Sequence, residues 1–439
     1  MYVKREQLFR SCCVSKTSSR SNEEQKSTIT CIPGLILLQY MCMNQMQSIE
    51  LFAGAGGLAL GIENAGFRHA AVIEWDKHAC STIRANMLMG SRLAHPWPLH
   101  QMDVRDFDFL QFQDDVQLVS GGPPCQPFSI GGKHQGYNDE RDMFPQAVRV
   151  VRDVRPLAFV FENVRGLLRR SFGKYFQYIL LQLQHPEVVR RAQEDWTEHL
   201  TRLEKHHTRG TDLGLHYTTV FRLVNAADYS VPQKRERVVI VGFRSDVCEK
   251  WSFPHHTHSE DALLHSQWVT GDYWDRHKVA TRSRPEPPVE LSQRLARIKE
   301  CGSLQPWLTI RDALADLPAP SKRLASAIPN HIYQSGARVY PGHTGSPQDE
   351  PAKTLKAGDH GVPGGENMMV TNDGKVRYFT VRESARLQTF PDWYLFEGSW
   401  TENMRQIGNA VPVRLAETVS RSVKETLARY LQRTQATAA

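Results

Sequence analysis

The chain is organised around a nine-residue stretch, Gly121-Gly122-Pro123-Pro124-Cys125-Gln126-Pro127-Phe128-Ser129. A short apolar run at residues 116–119 precedes it and predicts a buried strand. Two glycines and three prolines prevent regular structure, so we predict a stiff loop at the end of that strand. A stiff loop suits a nucleophile, because a thiol that moves by about an ångström loses most of the benefit of being held near its target. Cys125 is therefore a candidate nucleophile, although a lone cysteine in a tight turn is more often simply buried.

Length and composition describe an ordinary globular protein. The chain has 439 residues, of which 40% are hydrophobic and 23% charged, and this argues against global disorder. A formal net charge of +7 permits a polyanionic partner without requiring one. The eight cysteines contain no Cys-x-x-Cys pair, which predicts no metal site and a reducing, cytoplasmic location. Since no apolar run is long enough to span a bilayer, we expect no membrane association.

A strand, a glycine-rich turn and a helix open the fold. Residues 49–52 predict the strand, and Ala53-Gly54-Ala55-Gly56-Gly57 leads into the helix. Such a turn presents backbone N–H groups and the positive end of the helix dipole to a ligand. A second predicted strand ends at Glu74, at the spacing where an acid can accept hydrogen bonds from ribose hydroxyls. The alternative is an exposed strand-end glutamate that binds nothing.

Four polar or reactive residues directly follow four predicted strands, namely Glu74, Asp103, Cys125 and Glu162. In an open parallel α/β sheet the carboxyl ends of the strands share one edge, where ligands bind. The coincidence predicts one composite site rather than four separate surface positions. Asp103 is placed to accept a hydrogen bond from an adenine amino group.

Two charged runs lie in the region of residues 165–212, which we predict to be largely helical. They are Arg169-Arg170 and Lys205-His206-His207. A solvated helix face is the favoured interpretation of both runs.

The Cys125 loop resembles the catalytic loop of the DNA (cytosine-5)-methyltransferases. Further elements resemble those of the family in the family's order: Phe52-Ala-Gly-Ala-Gly-Gly57, Glu162-Asn163-Val164, Gln233-Lys-Arg235-Glu-Arg237, Arg382-Glu-Ser-Ala-Arg386-Leu-Gln388 and Gly408-Asn409-Ala-Val411. The resemblance covers nearly everything from residue 49 to residue 433. An N-terminal extension and a helical insertion near 170–215 depart from it.

The resemblance implies an enzyme that transfers a methyl group from S-adenosyl-L-methionine to C5 of a flipped-out cytosine in a specific short double-stranded DNA sequence. It implies that Cys125 attacks C6 of the base, that Glu162 hydrogen-bonds or protonates N3, and that Arg237 holds O2. Arg235 is expected to help to position the loop and the phosphates. The implied cofactor-binding residues are Phe52, Gly54, Gly56, Gly57, Glu74, Asp103, Asn409 and Val411.

The resemblance also implies the architecture and the partners. We expect an α/β, Rossmann-like methyltransferase sheet with helices on both faces, and a smaller, loop-rich, mostly β target-recognition domain. The expected division is 1–45 as a disordered extension, 46–255 as the catalytic and cofactor-binding domain, 256–402 as the target-recognition domain and 403–433 as a returning C-terminal helix. We also expect a monomer that belongs to a bacterial restriction–modification system, with a cognate endonuclease in the same system.

Three alternatives stay open. A nicotinamide-dependent oxidoreductase shares the opening strand, glycine turn and acid, but it does not explain Pro123-Pro124-Cys125-Gln126. A catalytically silent DNA-binding relative is opposed by the presence of Cys125, Glu162 and Arg237. A tRNA-directed enzyme of the same family is less favoured, because the variable region is large.

Overall fold

The computed structural model describes residues 45–88, 93–124, 142–210, 214–247, 250–298, 302–321, 328–339, 341, 344–357, 365–371 and 374–438. The expected extension, up to residue 44, and the loop that carries Cys125 lie outside the described residues.

A seven-stranded mixed sheet forms the centre of the fold. Its strands are β1 Gln47–Leu51, β2 Arg68–Glu74, β3 Leu99–Gln101, β4 Leu118–Gly121, β5 Ala158–Val164, β6 Tyr217–Asn225 and β7 Glu236–Arg244. They are arranged in the order β3-β2-β1-β4-β5-β7-β6, and β7 is antiparallel to both of its neighbours. The sheet is therefore mixed, whereas the prediction from the strand ends assumed that it is fully parallel. Only residues 226–235 connect β6 to β7, and a parallel crossover needs about a dozen residues or more.

Helices cover both faces of the sheet, as predicted. In chain order they are α1 Gly57–Asn64, α2 Lys77–Leu88, α3 Phe144–Val154, α4 Gly173–Gln184 and α5 Trp196–Arg209. Phe159 and Phe161 of β5 pack in one apolar cluster with α3 and α4. The alternate residues, Ala158 and Val160, pack in a second cluster on the opposite face, which includes α1. Each fully buried large apolar side chain contributes about 1.5–3 kcal/mol, so this two-sided burial holds the layers together.

The segment from 256 to 402 is loop-rich, as expected, but it is not mostly β. Its strands are β8 His258–Ser259, β9 Gln305–Pro306, β10 Ser346–Pro347, β11 Met368–Val370 and β12 Val376–Tyr378. Its helices are α6 Glu260–Trp268, α7 Asp272–Arg276, α8 Ser292–Leu295, α9 Ile310–Leu314 and α10 Val381–Leu387, which together contain more residues than the strands. Most side chains of residues 281–298 are exposed, so this stretch has no alternating apolar face on which a longer strand could form.

Two further helices close the chain, α11 Trp400–Asn409 and α12 Val413–Ala438. Ala53 and Ala55 of the glycine turn share one buried cluster with Ile310 and Phe379 from the loop-rich segment. The expected domain boundaries stay a prediction. No helix in the described part of the chain has the length and apolarity that crossing a membrane requires.

A buried acid lies in the middle of the sheet, one residue before the last residue of β1. Glu50 is 1% exposed, and burial raises the pKa of its carboxyl to about 8, an effect that a hydrogen bond with Ser120 opposes. The Ser120 Oγ also lies 3.2 Å from the carbonyl oxygen of Ile49. The Ser120 hydroxyl donates to Glu50 Oε2, and a hydrogen bond in this direction stabilises the ionised carboxylate, which is why it opposes the effect of burial on the pKa. Because burial is the larger of the two effects, the pKa stays raised, and we expect the Glu50 carboxyl to be mainly protonated in the folded protein at pH 7.

The charge state of Glu50 predicts a specific dependence of stability on pH. In the unfolded chain this carboxyl ionises near its ordinary value of 4.5, whereas in the folded protein it keeps its proton until about pH 8. The contribution of Glu50 to the free energy of unfolding is therefore fully present below pH 4.5. It is lost as the pH rises toward 8, by about 1.4 kcal/mol for each pH unit. We expect Glu50→Gln to remove this slope in urea unfolding between pH 5 and pH 8.

The exposed Glu290 provides the matched control. Glu290→Gln should keep the wild-type dependence on pH. The same slope in Glu50→Gln and in wild type would show that Glu50 is ionised in the fold.

Candidate active site

The carboxyl edge of the sheet brings the predicted residues into one row. Strand register places Ile73, Leu51, Gly121 and Phe161 side by side. The residues that follow them are Glu74, Phe52, Gly122 and Glu162. Because β7 runs in the opposite direction, its first residues reach the same edge, where Arg237 pairs with Val164. Residues from five regions of the chain thus meet at one edge.

The turn after β1 is fastened to the end of β2 through the carboxylate of Glu74. The amide N–H of Gly54 donates to Glu74 Oε2 at 2.6 Å, and that of Asp76 donates to Oε1 at 2.8 Å. Burial raises the pKa of Glu74, and these two hydrogen bonds oppose the shift. Phe52 has a φ of 54°, a left-handed conformation that non-glycine residues rarely adopt and that concentrates at functional sites. The turn is therefore held in one unusual geometry.

The three predicted glycines of this turn have different roles. A Cβ on Gly56 would lie 2.8 Å from the ring of Trp97, and one on Gly57 would lie 2.4 Å from the carbonyl oxygen of Val411. These two glycines permit close packing of the protein on itself. Gly54, with a φ of 53°, has no atom of the described residues within 4 Å of its missing Cβ. Its backbone therefore borders open space that a ligand can approach.

Trp75 is a functional candidate that the sequence reasoning missed. It directly follows Glu74, and it is 72% exposed. An exposed indole beside an acid suited to ribose offers a flat apolar surface to a nucleotide base. The available signal was a bulky aromatic residue immediately after the strand-end acid.

Asp103 follows the end of β3, which lies beside the end of β2, because the two strands pair and Gln101 is opposite Glu74. Its carboxylate accepts hydrogen bonds from Arg105, with Nη2 at 2.6 Å from Oδ2 and Nε at 3.0 Å from Oδ1. These bonds lower the pKa of Asp103. Asp103 is thus an ionised acceptor, but it shares its oxygens with an arginine.

Glu162 forms a buried ion pair with Arg237. Arg237 Nε lies 2.6 Å from Glu162 Oε1, and each side chain is only 11% exposed. Burial lowers the pKa of Arg237, and the charge of Glu162 opposes that shift. Pairing with β7 extends β5 to Val164, so Glu162 lies inside the strand rather than just after it. A Cβ on Gly122 would be 3.3 Å from Glu162 Oε2, which places this carboxylate beside the start of the Cys125 loop.

Both ends of the Cys125 loop are held by hydrogen bonds. Asn163 Nδ2 donates to the carbonyl oxygen of Pro123 at 2.9 Å. The amide N–H of Met143 donates to the carbonyl oxygen of Pro124 at 3.1 Å. The strand that positions Glu162 therefore also fixes the residues from which the loop departs.

Arg235 does not have the expected contact with phosphates, because it is fully buried. Its Nη1 donates to the carbonyl oxygen of Leu355 at 3.1 Å. Its Nη2 donates to those of Gly408 at 2.8 Å and Ala410 at 2.9 Å. Arg235 therefore positions other segments, including the two residues that flank the exposed Asn409. The pKa of Arg235 is lowered, first by burial and then by the charge of Arg237.

Among the described residues, no group of three or more histidine, cysteine, aspartate or glutamate side chains is arranged to hold a metal ion.

Comparison with known proteins identifies the family. Residues 46–186 and 203–425 match the family model of the C-5 cytosine-specific DNA methylases. The chain belongs to this family. It is a DNA cytosine-5 methyltransferase, and the family match leaves out residues 187–202, which lie within the predicted insertion at 170–215.

The Type II methyltransferase M.Eco47II of Escherichia coli is 32% identical to this cytosine-5 methyltransferase over 384 residues, which cover 85% of the chain and 78% of that protein. M.NgoMIV of Neisseria gonorrhoeae is 30% identical over 392 residues, which cover 87% of the chain and 98% of that protein. The crystal structure of the S. pombe Dnmt2 methyltransferase has a TM-score of 0.50 at 17% identity over 88% of the chain and 99% of that structure, which shows the same fold.

The burial of Arg235 predicts a large loss of stability when its donors are removed. Arg235→Leu leaves three buried carbonyl oxygens without this partner, and an unsatisfied buried group costs about 1–3 kcal/mol. We expect the free energy of unfolding to fall by roughly 3 kcal/mol or more in urea titrations.

The control is Arg294→Leu, which removes a half-exposed arginine paired with Glu260 and Asp261. That change should cost less than about 1 kcal/mol. Similar losses in the two variants would contradict the role assigned to Arg235.

Proposed function

We propose that this enzyme methylates C5 of a flipped-out cytosine in a specific short double-stranded DNA sequence, through a covalent adduct between Cys125 and C6 of the base. The observation that supports this most directly is the Glu162–Arg237 pair, with Nε and Oε1 2.6 Å apart beside the start of the Cys125 loop. A carboxyl group and a guanidinium held together at a sheet edge suit the N3 and O2 atoms of cytosine.

The chemistry requires activation of the ring, because C5 of cytosine is a weak nucleophile. The Cys125 thiolate adds to C6, and Glu162 hydrogen-bonds or protonates N3, so that the ring electrons accumulate at C5. Arg237 holds O2 of the same ring. After C5 has taken the methyl group, loss of the C5 proton to a base re-forms the double bond and expels the Cys125 thiolate.

The residues of the glycine turn fit S-adenosylmethionine as the methyl donor. When bound, it supplies a methyl group on a positively charged sulfur. The Glu74 oxygens each accept one backbone hydrogen bond and keep further acceptor capacity for ribose hydroxyls. Open space at Gly54 and the exposed face of Trp75 suit close backbone approach and contact with adenine. We assign Phe52, Gly56, Gly57, Asp103, Asn409 and Val411 to the same cofactor site.

The reactive atoms C5 and C6 are stacked inside a duplex, so the base must leave the helix at a cost of a few kcal/mol. Contacts to phosphates and to base edges offset that cost. The protein provides a net charge of +7 for the first of these. This positive charge is the sign that attracts a polyanion such as DNA.

We assign recognition of the target sequence to residues 256–402. This segment is fastened to the connection between β6 and β7, which leads into Arg235 and Arg237. Trp307 Nε1 donates to Asp228 Oδ1 at 3.0 Å, and Lys234 Nζ lies 3.2 Å from Glu260 Oε1. Loops anchored in this way can vary their base contacts without disturbing the sheet.

The names of the relatives support a biological role for this enzyme. M.Eco47II and M.NgoMIV are named Type II methyltransferases, which supports a place in a restriction–modification system with a cognate endonuclease. In that role the enzyme acts on host DNA in the cytoplasm, as a monomer, and needs no metal.

Expression in a host without cytosine methylation, followed by bisulfite sequencing of its genome, tests the function. We expect one short motif to be methylated at a fixed cytosine. Cys125→Ser should leave the genome unmethylated, because it lacks the thiolate that activates the ring. An unmethylated genome with soluble wild-type enzyme, or an active Cys125→Ser variant, would contradict the proposal.

A further inference from the structure

Residues 165–174, which we call the basic segment, directly follow β5 and its active-site glutamate. The segment contains Arg165, Arg169, Arg170 and Lys174, and no acidic residue occurs between residues 163 and 186. Its formal charge is therefore +4, from four basic residues and no acidic ones. The sequence alone favoured a solvated helix face for Arg169-Arg170. The structure instead places these residues at the junction of two short 3-10 turns that directly follow β5.

The basic segment leaves the sheet at the edge where the active site lies. Val164, the last residue of β5, pairs with Arg237 on β7. The next residue, Arg165, places Nη1 2.5 Å from Oε2 of Glu236, the neighbour of Arg237 in sequence. The positive charge thus begins beside the Glu162–Arg237 pair.

The backbone of the basic segment is held while its cations face solvent. Leu167 is fully buried, and Leu168 and Phe172 pack against the same apolar cluster. These anchors belong to two 3-10 turns, Arg165–Leu168 and Arg170–Phe172. Arg170 and Lys174 are exposed, and Arg169 is half-buried. The cations are therefore presented by an ordered surface.

Among the described residues, little negative charge balances these cations. The Arg165–Glu236 pair has side chains 68% and 42% exposed, and such exposed pairs contribute only about 0–1 kcal/mol. Within the part of the chain that the structure describes, Arg169, Arg170 and Lys174 form no ion pair. Adjacent like charges repel each other, so a polyanion bound here would relieve that repulsion.

We propose that Arg169, Arg170 and Lys174 bind phosphates of the DNA strand beside the flipped cytosine. This rests on the proposed function for its substrate, but it adds a DNA-backbone surface outside the catalytic and recognition elements. Ordered cations beside the pocket would hold the backbone next to the extruded nucleotide.

Salt dependence tests the proposal, because each phosphate that a cation neutralises releases counterions. We would measure binding of a fluorescein-labelled mixed-sequence duplex by anisotropy over a range of NaCl concentrations. The slope of log K against log salt should become shallower by about 0.9 for each phosphate that is no longer neutralised, hence by about 1.8 in Arg169→Ala/Arg170→Ala. Arg169→Lys/Arg170→Lys should keep the wild-type slope, because it keeps both charges.

The chain offers a matched control in Arg190-Arg191, a second adjacent arginine pair whose side chains are exposed and form no ion pair among the described residues. Arg190→Ala/Arg191→Ala removes the same charge from another surface and should keep the wild-type slope. An unchanged slope in Arg169→Ala/Arg170→Ala, or equal changes in both alanine variants, would overturn the proposal. Thermal unfolding would confirm that the variants fold.

The outcome is separable from that of the proposed function, because this binding is measured without S-adenosylmethionine and without a specific motif. A protein with the predicted slopes but no methylation activity would refute the proposed function and leave the phosphate-binding surface supported. Full methylation by the wild type, together with an unchanged salt slope in Arg169→Ala/Arg170→Ala, would refute the phosphate-binding surface and leave the proposed function supported.

Discussion

The ion pair between Glu162 and Arg237 is the interaction on which the rest of the site depends. It joins the last parallel strand to an antiparallel one, so that a carboxylate and a guanidinium reach the same edge from opposite chain directions. Both side chains are almost fully buried, and loss of either partner would leave an uncompensated charge at a cost of several kcal/mol. The pair can therefore hold two hydrogen-bonding groups in a fixed relation before any base arrives, which is the preorganisation that catalysis requires.

A second set of constraints joins distant parts of the chain to that edge. Arg235 is two residues from Arg237, and it holds Leu355 and both neighbours of Asn409 through their carbonyl oxygens. The carbonyl oxygen of Val411 lies against Gly57, where only a glycine fits. The segment between α11 and α12 is thus packed against the glycine turn and against the strand that carries Arg237. We therefore expect a substitution at Arg235 to disturb the glycine turn and the Glu162–Arg237 pair together.

The sequence was informative where local pattern decides structure. Glu74 and Glu162 could be placed because each follows the apolar part of its strand, and a largely parallel sheet brings these positions together. It was less informative where hydrogen bonds join residues far apart. The buried role of Arg235 depends on carbonyl groups 120 to 175 positions away, which no local pattern indicates. The loop-rich segment has short strands for a similar reason, since its order comes from anchors such as Trp307 on Asp228 rather than from an alternating apolar face.

The central claim is that this edge of the sheet activates cytosine by adding Cys125 to C6. The most direct measurement uses a duplex that carries 5-fluorocytosine at the methylated position, incubated with the enzyme and S-adenosylmethionine. Since fluorine cannot leave as a proton does, the enzyme should remain bound through a denaturing gel, and peptide mass spectrometry should place the modified base on Cys125. No adduct, or an adduct on another residue, would contradict the account.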